Sequence, residues 1–300
     1  MTTPFLDEQH PSQRVETGTQ APKICLVCGG HYEESRLPGL VRCKVCGFVA
    51  ANLDISDEEL AKIYGEDYFH GNEYLDYIAE EESLRLNFRN RISTLRSLVP
   101  DLADKELFEI GCAYGFFLQE VAPVVRRASG IDISTDAVRS AQGERGVDAV
   151  CGDYLKFDLP RPVDIIAMWD TIEHLKRPDL FVSKAARDLR TGGILALTTG
   201  DIQSLNARLR GKKWRMIHPP THLHYFSTAT IIKLLDRHGF DVIHVSHPGN
   251  SRKFRSVLYY IFVLRMKRPA IYAALQKVQL FDLPLTVNLF DIMYVIARRR

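Results

Sequence analysis

The sequence contains no apolar run close to the roughly 18 residues that a membrane-spanning helix requires. It also lacks a dominant charge, with 39 Lys and Arg against 37 Asp and Glu for a net +2. The first absence leaves a soluble or at most peripheral chain as the expectation. The second removes the broad basic footprint of nucleic-acid-binding proteins, so an anionic partner would have to be met locally. Residues 1–22 do not show the charged-then-apolar pattern of a secretion signal and read as a disordered tail. The expected location is the cytoplasm, extending to the inner face of the membrane. Cysteine is scarce, at six residues, and without export disulfides are not expected.

Four of those cysteines form two C-x-x-C pairs, Cys25 with Cys28 and Cys43 with Cys46, each followed by glycine. A C-x-x-C turn aims two thiolates at one point, and two such turns complete a closed tetrahedral S4 site, which suits structural zinc rather than catalysis. A redox pair would need one such turn beside a βαβ unit. The segment between the pairs is not conspicuously basic, so residues 23–50 read as a folding module or substrate-side wall in preference to a nucleic-acid reader. Cys112 and Cys151, at apolar strand ends, read as small core thiols.

Residues 51–98 read as a helical connector. Ser56 with Glu59 forms a capping-box start, and a second helix is expected from about 76 to 98. Tyr64, Tyr68, Phe69, Tyr74 and Tyr77 cluster where these helices meet. They read as packing, or as a cover whose ring faces attract a bound cation.

From Glu106 short apolar strands alternate with amphipathic helices, the pattern of a doubly wound parallel sheet. The strand ELFEI enters the turn GCAYG, where Gly111 permits a sharp bend and Gly115 a close helix start. Glu109 is expected at the strand tip. Asp132 ends the next strand, 23 residues on, placed to accept hydrogen bonds from two ribose hydroxyls. Asp153, at the third tip, is placed for an adenine amino group, with Tyr154 against the base.

Across about residues 99–250 the E-x-G-x-x-x-G loop at 109–115, GIDIS at 130–134, GD at 152–153 and the D-x-x-EHL turn at 170–175 together resemble the class I S-adenosylmethionine (SAM) dependent methyltransferases. The resemblance implies a Rossmann-like α/β fold, a mostly parallel sheet with an antiparallel last strand, in a unit at 99–300 with a helical insertion at about 250–287. It implies SAM as cofactor, with Glu109, Gly111, Cys112, Ala113, Gly115, Asp132, Ile133, Asp153, Tyr154 and Asp170 at its site. One departure is Ala113, where members often carry a middle glycine; alanine still leaves room for backbone approach. The C-x-x-C pairs, YGEDYF and HPPTHLHYFS are similar to a bacterial subgroup associated with glycan and natural-product modification. This implies a small-molecule, sugar or lipid-linked glycan acceptor.

Methyl transfer needs alignment and removal of the nucleophile's proton. The candidates are Asp170, Glu173 and His174 after the fourth strand, and His218, His222 and His224 after the fifth. A histidine general base is the plainest reading. The Asp170-x-x-Glu173-His174 arrangement with a distant histidine also resembles the divalent-ion site of ubiquinone-pathway O-methyltransferases, with His222 or His224 as distal ligand. Near the C-terminus, VLYYIFVL flanked by Lys253, Arg255, Arg265, Lys267 and Arg268 reads as a lid, or as a surface resting on an anionic headgroup layer. Four other readings are weighed against a sugar or lipid-linked methyltransferase: a phenol O-methyltransferase, a ribosomal-RNA methyltransferase using the ribbon, a non-catalytic SAM-binding protein, and a dehydrogenase using Asp132 for NAD.

Overall fold

The computed structural model describes residues 24–56, 59, 77–259, 262, 263, 266–275 and 284–300. The expected tail at 1–22, Tyr64, Tyr68, Phe69, Tyr74 and Arg265 lie outside the described residues. Three short strands, β1 (Tyr32–Glu34), β2 (Leu40–Cys43) and β3 (Val49–Ala51), form an antiparallel module around the four cysteines. Ser56 and Glu59 exchange both bonds of a capping box, the hydroxyl accepting from Glu59 N at 3.1 Å and the carboxylate from Ser56 N at 2.8 Å. The second connector helix, α1 (Glu81–Leu98), begins later than the pattern predicts, since Tyr77 to Glu80 form a turn.

The main unit then runs β4 (Glu106–Ile110), α2 (Phe116–Val121), β5 (Arg127–Asp132), α3 (Thr135–Arg145), β6 (Asp148–Cys151), β7 (Val163–Trp169), α4 (Pro178–Asp188) and β8 (Leu189–Gly200). It continues with α5 (Leu205–Arg210), β9 (His224–Tyr225), α6 (Thr228–Arg237), β10 (Phe240–Ser246), β11 (Asn250–Lys253), α7 (Phe254–Tyr259), α8 (Pro269–Leu275), β12 (Pro284–Val287) and β13 (Ile292–Arg299). Seven strands form one sheet in the order β10-β13-β8-β7-β4-β5-β6. β4 through β8 are parallel, and β13 lies antiparallel between β8 and β10. The central strands read as near-continuous apolar runs because both faces are covered. Leu107, Ile165 and Ala167 pack with α1, α2 and α3 on one face, while Phe108, Ile166 and Met168 join α4 and α6 on the other.

β4 pairs with β5 on one side and β7 on the other. The chain therefore winds in opposite directions from β4, which opens a crevice at the carboxyl ends of these strands. The cysteine module is fused to this frame. β9 pairs with β3, Val49 opposite Tyr225 and Ala50 opposite His224, making a four-stranded sheet. Cys25, Val27, Cys43 and Phe48 share the core cluster that holds Phe226 and Leu234. The insertion is rooted in a two-stranded antiparallel neck, β11 with β12, rather than in helix alone. Among the described residues no helix is long and apolar enough to cross a membrane.

Candidate active site

A cleft of about 860 Å³, including its open mouth, lies at the carboxyl ends of β4, β5 and β7. Gly111, Ala113, Asp132, Ile133, Tyr154, Asp170 and His174 are among its lining residues. Gly111 has φ 79°, and a Cβ there would meet Thr171 Oγ1 at 2.8 Å, so the turn requires glycine. Ala113 occupies the left-handed region at φ 44°, uncommon for a side chain with a Cβ. Its N–H donates to Asp132 Oδ2 at 2.8 Å, and Ser134 N–H donates to Oδ1 at 2.9 Å. Asp132 thus ties the turn after β4 to the turn after β5. Burial pushes its carboxyl up, against the opposing pull of these N–H groups.

Not every expected residue faces the cleft. Glu109 is buried within β4 rather than displayed at its tip, and its Oε2 has no hydrogen-bond partner among the described residues. Burial, and then the Asp132 charge, push its carboxyl well above the usual range, with Arg91 opposing. The folded protein therefore favours neutral Glu109. Stability from this group is fully present below its ordinary value of 4.5 and is lost as pH rises through the higher folded value. Glu109→Gln removes that loss, so the variant should melt roughly a few degrees above wild type at alkaline pH and converge with it near pH 5. Thermal unfolding across pH checks this.

Cys112 is buried behind the turn, Gly115 is the left-handed N-cap of α2, and Asp153 caps the turn after β6 by accepting from Leu155 N at 2.9 Å. Tyr154 lines the cleft, its hydroxyl donating to Asp188 at 2.7 Å. Cys151 departs from its reading as a core thiol: β6 is the sheet's edge, and the thiol is exposed, 3.4 Å from Thr135 Oγ1. Of the connector aromatics, Tyr77 lines the cleft and stacks on Phe116 with centroids 5.4 Å apart.

Asp170 adopts φ 49° and is held by residues that sequence reasoning missed. Arg91, from α1, forms a 2.9 Å ion pair with Oδ2, and Thr198, from β8, donates to Oδ1 at 3.0 Å. The Arg91 guanidinium lies over the rings of Trp169 and Phe88. Burial raises the Asp170 carboxyl, but Arg91 and Thr198 outweigh it and hold the group ionised. The available signal was an arginine inside the buried stripe Phe88, Arg91, Ile92, Leu95.

Three histidines converge beside Asp170. The rings of His174 and His222 meet edge to face at 4.5 Å, and those of His218 and His222 lie 3.9 Å apart. A carbonyl oxygen accepts from Nδ1 of His174 (Thr221 O, 2.9 Å) and of His222 (Met216 O, 2.9 Å). Since a carbonyl cannot donate, both rings carry the proton on Nδ1 and present Nε2 unprotonated. Burial lowers His174 and His218 to about 4 and His222 well below its ordinary value, so all three are neutral at physiological pH. Ligand atoms of Glu173, His174 and His222 lie within 4.8 Å of one another. His224 is placed elsewhere, on β9 against Phe48 with centroids 5.6 Å apart, and does not line the cleft.

A sheet of this order, with a cleft at the switch point and acidic residues after successive strands, is the architecture of the Rossmann-like SAM-dependent methyltransferases. A family model described as a methyltransferase domain matches residues 82–245, more than half of the chain, and the chain belongs to that family. It is 28% identical over 157 residues, 52% of this chain and 59% of the relative, to a Mycolicibacterium smegmatis protein named "Probable S-adenosylmethionine-dependent methyltransferase". It is 30% identical over 108 residues, 34% of this chain and 43% of the relative, to a ubiquinone biosynthesis O-methyltransferase of Cupriavidus pinatubonensis. The chain thus spans about half the length of these curated relatives. Among solved structures it resembles magnesium protoporphyrin IX methyltransferase from Synechocystis PCC 6803 with bound SAH, at TM-score 0.54 and 14% identity, covering 82% of this chain and 100% of that one.

Proposed function

We propose that the protein transfers a methyl group from SAM to an oxygen of a small-molecule, sugar or lipid-linked glycan acceptor, with His174 as general base. In this reading the turn Gly111, Cys112, Ala113 and Gly115 receives the methionine portion, with Glu109 behind it. Asp132 accepts from the ribose hydroxyls, Ile133 and Tyr154 flank the adenine, Asp153 meets its amino group, and Asp170 stands at the methyl end. The observation that carries the assignment is a buried His174 in the cleft wall, its ring oriented by the Nδ1–H bond to Thr221 O. The acceptor O–H gives its proton to Nε2 while the new O–CH3 bond forms and the S–CH3 bond breaks, releasing S-adenosylhomocysteine. His222, packed against the His174 ring, keeps it in place. His174→Ala is expected to lower kcat on the order of 10²- to 10⁴-fold while SAH affinity measured by calorimetry stays within a few-fold. A variant with wild-type kcat would remove His174 from the chemistry.

The convergence of Glu173, His174 and His222 favours a second reading, a divalent ion held by one carboxylate and two neutral imidazoles. Asp170 is not in this set, because it is committed to Arg91 and Thr198. Such an ion would supply Lewis acidity toward the acceptor hydroxyl, as suits a phenol acceptor. The cysteine module fits zinc. Cys25 and Cys46 Sγ lie 3.6 Å apart and Cys28 and Cys43 3.4 Å. A tetrahedral S4 site with Zn–S near 2.3 Å has S···S separations of about 3.8 Å, whereas a disulfide would need about 2.05 Å. We retain a ribbon at 23–50, a connector at 51–98 and a catalytic unit at 99–300 as the working division of the chain.

A further inference from the structure

We infer that helix α5 and the turn carrying Leu289 and Phe290 form a docking surface for an anionic lipid bilayer, at the same edge of the molecule as the cleft. The strongest apolar exposure on α5 is at Leu205 and Leu209, 70% and 78% exposed. They stand one helical turn apart, on one side of the helix, while Ala207 faces inward with Trp214. This is not fraying. Ser204 Oγ caps the helix by accepting from Ala207 N at 3.1 Å, and Asn206 Nδ2 donates to Asp291 Oδ2 at 2.7 Å. Trp214 Nε1 and Arg215 each reach the same carboxylate at 2.9 Å. The leucines are held outward by a braced frame.

The brace also joins α5 to a second apolar projection. Asp291 follows directly on Phe290, which is 63% exposed and adopts φ 53°. A bulky residue in the left-handed region is an outlier that the surroundings must maintain, and such strain concentrates where a residue has work to do. Leu289, beside it, is 42% exposed.

The charge pattern identifies the partner. Besides Arg215, which is paired with Asp291, residues 202–215 contain Arg208, Arg210, Lys212 and Lys213 and no Asp or Glu, in a chain whose net charge is only +2. The two carboxylates bonded to this frame, Asp201 and Asp291, are buried and engaged. Aliphatic side chains ringed by cations match a layer that offers hydrocarbon beneath anionic headgroups. A nucleic acid would satisfy the cations but give the leucines nothing to enter. By contrast, in the basic segment at 253–268 Leu258 is buried, Tyr259, Phe262 and Val263 are partly covered, and among its described apolar residues Met266 alone is exposed. Because α5 follows the carboxyl end of β8, docking here brings the cleft edge to the membrane. The inference does not rest on the acceptor assignment.

The test is co-sedimentation of the full chain with vesicles of three parts phosphatidylcholine to one part phosphatidylglycerol, with SAM affinity and melting temperature measured on the same samples. Wild type should sediment, and Leu205→Glu with Leu209→Glu should lower partitioning on the order of 100-fold with SAM affinity and melting unchanged. Lys212→Gln with Lys213→Gln should lower it about tenfold, as should raised salt. The inference is overturned if wild type stays in the supernatant, or if the double-glutamate variant sediments like wild type. It is equally overturned if wild type prefers RNA over vesicles and the leucine changes have no effect. Failure of SAM binding in wild type would instead count against the methyl-transfer reading.

Discussion

Asp132→Ala is expected to lower SAM affinity several hundredfold, with S-adenosylhomocysteine affected equally because both carry the same ribose. The carboxylate does two jobs in the proposed complex. It would accept the ribose hydroxyls, and it already accepts Ala113 N–H and Ser134 N–H at 2.8 and 2.9 Å. Charge-assisted bonds contribute about 1.5–3 kcal/mol each, so losing the pair to ribose accounts for an effect of this order. Alanine also frees the left-handed Ala113, and the turn that must approach the ligand loses its tether. Calorimetry decides the matter: affinity within a few-fold of wild type would remove Asp132 from the cofactor site. Competition by NAD in place of SAM would move the protein to another class.

Stripping the proposed zinc from the cysteine module is expected to abolish most turnover while leaving SAM affinity within a few-fold. Without the metal, β1 to β3 have little core of their own, and binding energy is folding energy in so small a unit. β3 is the partner of β9, and Ala51 N donates to Leu223 O at 2.9 Å. Leu223 N and His224 N in turn donate to Glu173 O at 2.9 and 3.1 Å. Loss of β3 therefore releases the loop that presents His218 and His222 to His174, whereas Asp132 and the glycine turn stand on β4 and β5, which belong to the other sheet and do not pair with the module's strands. We expect turnover to fall at least about tenfold on chelation and to return with zinc, and Cys43→Ser to mimic the loss. A chelated protein with full turnover would reduce the module to an appendage.

What the sequence made legible was local to single strand ends. The Gly111 turn, Asp132 and Tyr154 each sit at a strand end or within three residues of one, and all face the cleft. Arg91 and Thr198 were not legible, because their bonds to Asp170 span 79 and 28 residues and depend on how α1 and β8 are laid across the sheet. Glu109 was misplaced although ELFEI is the strand, because position 109 lies inside it, one residue short of its end at Ile110, and the carboxylate is buried there rather than displayed. The three histidines of HPPTHLH look equivalent on paper. His218 and His222 belong to a turn that closes on His174, while β9 begins at His224 and carries that ring toward the cysteine module.

The position of β13 bears on how the protein is made. It inserts between β8 and β10, setting Ile292 opposite Gly200 and Val295 opposite both Leu197 and Val245. During synthesis both neighbouring strands must wait, their ladder edges unpaired, until residues 292–299 leave the ribosome. Such edges are sticky and long-range pairings form slowly. Completion of the sheet thus waits for β13, and ribosomes halted between β10 and β13 would release chains with exposed sheet edges, substrates for chaperones or proteases.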